Sequence, residues 1–120
     1  MHHFVRRAEL QDSSSRTMEF EGAPFGAGVS FFLVDNDPGQ GPSLHQYGYP
    51  ETWIVQSGRA RFTIGDEFLE VVSGDIVVVP PFTPHKFVNS GPASLAMVCI
   101  HAADRIVNLP VSAVLLKHSA

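Results

Sequence analysis

The sequence predicts an all-β domain, a sandwich or barrel, and three observations carry that expectation. Short runs rich in Val, Ile, Phe and Thr recur along the 120 residues, which is strand composition. Ten glycines and nine prolines punctuate these runs as turn signals. Helical periodicity is nearly absent, and many short strands divided by Gly/Pro turns build sandwiches or barrels rather than mixed folds. The length suits one domain, 1–120, with a single core.

Taken in order, the segment through Gly26 is expected to contribute edge strands. Gly28 to Val34 is the first strong strand, ended by the turn Asp35-Asn36-Asp37-Pro38-Gly39. Thr52 to Gln56 is the next. Ala60, Phe62 and Ile64 then alternate with Arg59, Arg61 and Thr63, the pattern of a strand with one wet face. Gly65-Asp66 turns the chain into Phe68 to Val72, giving a hairpin. Ser73-Gly74-Asp75 turns it again, and Ile76 to Val79 reads as a fully buried run. Pro80, Pro81 and Pro84 stiffen the following loop and withhold amide donors. Lys86 to Asn89 and Leu95 to His101 are the last strands of the core, and Pro110 to Lys117 fits a strand or a short helix equally. Trp53, Phe62 and Phe87 are expected in the core. Phe31, Phe32, Phe68 and Met97 belong either there or to a pocket wall. Gly58 and Gly74 read as turn residues with unusual dihedrals.

Bulk properties narrow the function. The net charge is −4 and no basic stretch exceeds Arg6-Arg7, so neither a nucleic acid nor an anionic membrane surface is an expected partner. No run is long and apolar enough for a transmembrane helix. The start, Met1 to Arg7, lacks the features of a secretion signal. One cysteine, Cys99, allows no internal disulfide, fits a reducing, cytoplasmic setting, and reads as a small buried hydrophobe. His2 and His3 are assigned no function.

Four residues carry chemistry: His45, Tyr47, Glu51 and His85. His45 and Tyr47 are two apart and share one face of an extended chain. Glu51 opens the strand of Trp53 and Val55, and His85 follows the proline-stiffened loop. Two histidines and a carboxylate meeting at one point form a facial triad with open positions on a metal. His101 lies on the same face of its strand as Cys99 and Met97 and is a candidate pocket residue.

The segment Gly39-…-His45-Gln46-Tyr47-…-Glu51-…-Gly58 resembles the first motif of the cupin superfamily: Gly, five residues, His-x-His, three or four residues, Glu, six residues, Gly. Gly74-…-Pro80-Pro81-Phe82-Thr83-Pro84-His85-…-Asn89 resembles the second: Gly, five residues, Pro-x-Gly, two residues, His, three residues, Asn. The chain is thereby similar to small single-domain microbial cupins of the cupin 2 type, with core motifs over 39–58 and 74–89. The resemblance implies a double-stranded β-helix, a jelly-roll cupin barrel. It implies one divalent metal ion, Fe, Mn, Ni, Co or Zn, held by His45, Glu51 and His85. It implies a small-molecule ligand or substrate and a homodimer, for which Phe4, Phe20 and Phe25 near the N-terminus are candidate contacts. Two positions depart from the pattern. Tyr47 replaces the second histidine of the first motif and is expected to line the pocket rather than ligate. Phe82 replaces the glycine of the second motif, which bears on the backbone there. Asn89 is expected to brace the motif loop. The functional expectation is a metal-dependent enzyme, dioxygenase-, isomerase- or lyase-like, acting on an oxygen-bearing molecule; the alternative is a non-catalytic sensor or carrier.

Overall fold

The computed structural model describes residues 1–10 and 15–111. Among the described residues ten strands carry the fold: β1 (Met18–Phe20), β2 (Ser30–Asn36), β3 (Gln46–Tyr47), β4 (Glu51–Ser57), β5 (Arg59–Ile64), β6 (Glu67–Val72), β7 (Ile76–Val79), β8 (His85–Asn89), β9 (Leu95–His101) and β10 (Asn108–Leu109). Helix among the described residues is confined to one turn, α1 (Arg7–Leu10), and a 3₁₀ turn at Ala23–Phe25. The all-β expectation holds. The five-stranded sheet runs β1-β2-β9-β4-β7 and the three-stranded sheet β6-β5-β8, while β10 pairs with β3. Every strand pairing is antiparallel, and no continuous ring of ladder bonds closes the barrel among the described residues. Met18–Phe20 is the edge strand expected near the N-terminus. The segment 112–117 of the ambiguous tail lies outside the described residues.

Alternation builds the core. On β9 the odd-numbered residues Leu95, Met97, Cys99 and His101 are buried and their neighbours only partly so. On β4, Glu51, Trp53 and Val55 face the same interior. From the other sheet come Ala60 and Phe62 of β5 and Phe87 of β8. Trp53, Phe62 and Phe87 meet as a triangle of rings, 5.0–5.5 Å between centroids, within the range of favourable aromatic pairs. Phe32 packs against this core, whereas Phe68 stands 72 % exposed. Phe31 stacks on Phe20 and Phe20 on Phe25. Phe20 and Phe25 therefore have partners within their own chain.

Two expectations need correction. The strand from Gly28 begins at Ser30 and runs on through Asp35 and Asn36, because these two pair with Ala96 and Leu95 across the ladder. Only the end of the expected turn, Pro38-Gly39, turns the chain. The Ile76–Val79 run is not fully buried: Val77 and Val79 point inward, but Ile76 and Val78 are exposed. Strand β7 is the outer strand of its sheet, with only one face against the core, so a continuous apolar run carries an alternation that residue type conceals.

Gly58, Gly74 and Phe82 fall where the backbone is special. Gly58 and Gly74 have φ of 90° and 93°. A Cβ at Gly58 would also lie 2.5 Å from the Ser94 carbonyl oxygen, so glycine is required there twice over. Phe82 adopts φ 58°, a left-handed conformation that a glycine would take without strain, and its amide donates to the Tyr47 carbonyl at 2.8 Å. Its ring is largely exposed. Replacing Phe82 with glycine is therefore expected to leave stability unchanged or raise it by about 0.5–1 kcal/mol, strain relief partly offset by chain entropy. Urea denaturation checks this, and a loss above about 1 kcal/mol contradicts it.

Candidate metal centre

Strand geometry brings the four motif residues and His101 together. His45 and His85 exchange backbone hydrogen bonds, 3.0 Å and 2.8 Å, which set the first motif against the start of β8 and leave their rings 4.2 Å apart. Glu51 opens β4 between Val79 of β7 and His101 of β9, both in register with it. His85, Glu51 and His101 are at most 1 % exposed, and His45 and Tyr47 are buried. One candidate ligand atom from each of His45, Glu51 and His85 lies within 4.8 Å of the other two.

The hydrogen bonds decide which imidazole nitrogens face inward. His45 Nδ1 is 2.8 Å from the Ser43 carbonyl oxygen, and His85 Nδ1 is 2.8 Å from that of Thr83. A carbonyl oxygen can only accept, so both Nδ1 atoms carry hydrogen and donate it. In the neutral rings Nε2 then holds a lone pair. His85 Nε2 is 2.6 Å from Glu51 Oε1, yet the two are not aligned as donor and acceptor, and that Nε2 is buried without a hydrogen-bond partner. Two lone-pair atoms this close repel unless a proton or a metal cation stands between them. Metal-binding histidines use the same tautomer, with one ring N–H donating to a backbone carbonyl and the other nitrogen free to ligate. The donor set, two imidazoles and a carboxylate, suits a divalent transition metal.

Charge follows the same logic. Burial works to raise Glu51, but the positive charge that His85 and His101 carry when protonated, with the Cys99 thiol hydrogen bond, outweighs it and holds the carboxyl below the usual carboxylate range. Burial lowers His45 and His101, which keeps both rings neutral near pH 7. Desolvation, reinforced by the Glu51 charge, pushes the Tyr47 phenol far above its ordinary value. Tyr47 is thus a neutral phenol packed edge-on to His45 and His101, as a wall residue would be.

These depressed values give a pH dependence. Groups that bind protons less readily when folded contribute stability above their unfolded values, near 6.5 for the histidines and 4.5 for Glu51. That contribution is lost as pH falls through the folded values. The melting temperature of the metal-free protein is therefore expected to be level above about pH 7 and to fall steadily from about pH 6.5 to pH 4. A rise over that interval in a calorimetric scan contradicts the assignment.

Sequence reasoning missed two contacts. Cys99 is buried as expected, but it is more than a small hydrophobe: its thiol donates to Glu51 Oε2 at 3.1 Å. Tyr49, which drew no attention, places its hydroxyl 2.6 Å from His101 Nδ1. The i, i+2 relation of Cys99 and His101 on a strand facing Glu51 could have flagged the first; nothing local marks the second. Asn89 braces its loop as expected, donating to the carbonyls of Asn36 and Ala93 and accepting from the Gly91 amide. His45, Tyr47, Glu51, Trp53 and His101 line a cavity of about 740 Å³, a size that suits a small organic molecule. At its mouth Arg16 is paired with Asp35 and Asp37.

Known proteins agree with this architecture. A family profile described as a cupin domain matches residues 32–101, more than half of the chain. The chain belongs to the cupin family. An uncharacterized protein of Methanocaldococcus jannaschii is 39 % identical over 57 residues, covering 47 % of this chain and 46 % of that protein. One from Streptomyces coelicolor is 37 % identical over 59 residues, covering 49 % and 56 %. The chain thus spans about half the length of the curated relatives it matches. Among solved structures, a cupin 2 conserved barrel domain protein from Rhodopseudomonas palustris superposes with a TM-score of 0.71 at 20 % identity, covering 89 % of this chain and 77 % of that one. A variant of Bacillus subtilis oxalate decarboxylase superposes with a TM-score of 0.77 at 22 % identity, covering 88 % and 31 %. These likenesses establish the jelly-roll fold.

Proposed function

We propose that the protein is a metal-dependent cupin enzyme whose ion is held by His45, Glu51 and His85 and whose substrate is a small oxygen-bearing organic molecule. One observation carries the reading: two buried imidazoles, each with Nδ1 donating to a backbone carbonyl, stand within ligand distance of one buried carboxylate. The ion, iron, manganese, nickel, cobalt or zinc, supplies Lewis-acid or dioxygen chemistry at a substrate oxygen when bound. The Ser43 and Thr83 carbonyls fix the rings, so little ordering is needed on binding. Phe32, Trp53 and Phe87 form the apolar wall that limits water. Manganese centres are described for oxalate decarboxylase, which keeps manganese among the candidates. Oxalate itself is not transferred: apart from the histidines, Arg16 is the only basic side chain lining the cavity among the described residues, and two aspartates already engage it.

The test is metal content after purification without chelator or nickel resin. Iron or manganese near one ion per chain supports the enzyme. An empty site that still takes up small ligands supports the second reading, a non-catalytic sensor or carrier, which Tyr47 in place of a histidine favours. The proposal includes a cytoplasmic homodimer. Phe68 on β6 and Ile76 and Val78 on β7 leave exposed apolar surface on edge strands. Light scattering at micromolar concentration is expected to give twice the 13.1 kDa chain mass, and the monomer mass refutes the dimer.

A further inference from the structure

We infer that His101, at the end of β9, is a third nitrogen ligand of the ion held by His45, Glu51 and His85, supplying the imidazole that Tyr47 does not. The inference rests on the proposed metal site and adds a residue from outside both motifs. His101 is fully buried, and its Nε2 has no hydrogen-bond partner. That atom lies 3.4 Å from Glu51 Oε2, a spacing typical of neighbouring ligands bound at about 2.1 Å to one ion. Cross-strand register sets His101 opposite Glu51, so both side chains stand on the same interior face of adjacent strands.

The carboxylate divides its oxygens. Oε1 faces His85, while Oε2 faces His101 and Cys99. As they stand, two ligand groups meet at Glu51: His45, Glu51 and His85 on one side, and Glu51, Cys99 and His101 on the other. A carboxylate that serves both can draw the two nitrogen sets onto one ion by a small rotation of its side chain. Tyr47 packs edge-on to His101, 4.6 Å between ring centroids, so the ring that interrupts the motif also confines the histidine that replaces it. Ligation needs hydrogen on His101 Nδ1, and the Tyr49 hydroxyl at 2.6 Å is placed to accept it. Tyr49 is then a positioning residue.

The experiment uses the full chain, stripped of metal by chelator and dialysed. Co(II) is titrated into the wild type, His101→Gln, His101→Ala, Tyr49→Phe and His85→Ala. Pulsed EPR of the Cu(II)-loaded wild type and His101→Gln counts coupled imidazoles. His101→Gln and His101→Ala are expected to weaken Co(II) binding at least tenfold, about 1.4 kcal/mol. The imidazole count should fall from three to two, and Tyr49→Phe should weaken binding by up to about tenfold. His101→Gln binding within twofold of the wild type, or only two imidazoles in the wild type, overturns the inference, and the second result holds even if the variants fail to fold. A thiolate-to-cobalt charge-transfer band that vanishes in Cys99→Ser also overturns it, because the ion then sits among Glu51, Cys99 and His101. Loss of binding in His85→Ala with none in His101→Gln removes His101 alone and leaves the proposed site. No binding by the wild type removes both.

Discussion

Replacing His85 with alanine is expected to reduce metal uptake from about one ion per chain to near zero while the jelly roll persists. The substitution removes the imidazole whose Nε2 stands 2.6 Å from the Glu51 carboxylate, one of three donors. That imidazole is the donor nearest the carboxylate, and the donors left do not retain a first-row ion through dialysis, since each lost ligand also frees a position for water. The fold should survive because the bonds joining His85 to His45 run through the backbone and are untouched. Some stability will be lost: Glu51 stays buried with only the Cys99 thiol and His101 beside it, and stranding a buried charge costs a few kcal/mol. Elemental analysis gives the stoichiometry, and far-UV circular dichroism with a melting curve checks the fold. A folded His85→Ala protein that keeps a full equivalent of metal would place the ion elsewhere. His85→Gln, which keeps a polar group in the space, separates loss of the ligand from loss of volume.

The second large effect is on stability. Phe62→Ala is expected to cost about 3–5 kcal/mol, as truncating a fully buried aromatic residue does. Phe62 is wholly buried on β5, with Trp53 on one side and Phe87 on the other. Against a total of roughly 5–15 kcal/mol for a domain, such a loss leaves the protein marginal or unfolded at 37 °C. The effect should reach the site. Trp53 lies two residues beyond Glu51 on β4, and Phe87 two beyond His85 on β8, so the ring triangle is the layer on which both ligands are seated. Chemical denaturation at 15 °C measures the loss. A value below about 1 kcal/mol would show that the rings do not form the central layer.

Much of this was legible in the residues themselves. The hairpin of β5 and β6 could be read from the alternation of Ala60, Phe62 and Ile64 and the Gly65-Asp66 turn, because a strand with one buried face writes its period into the sequence. The grouping of His45, Glu51 and His85 could be read only through the resemblance of two motifs to the cupin family, since the two histidines stand 40 positions apart and no periodicity spans that distance. Residue type misled where both faces of a strand are apolar, as at Ile76 and Val78.

What the sequence by itself determined is the all-β class, the positions of most strands and the identity of three candidate ligands. The class and the strands follow from local preferences, which act between residues near in the chain, and the ligands from the resemblance of two motifs to those of the cupin family. Only the tertiary structure decided that Phe82 takes a left-handed conformation, that the Cys99 thiol reaches Glu51, and that Tyr49 holds His101 against the same carboxylate. Those relations depend on the β4–β9 register and on a loop closing from another part of the chain. Long-range ladder pairing sets them, and no single segment encodes it.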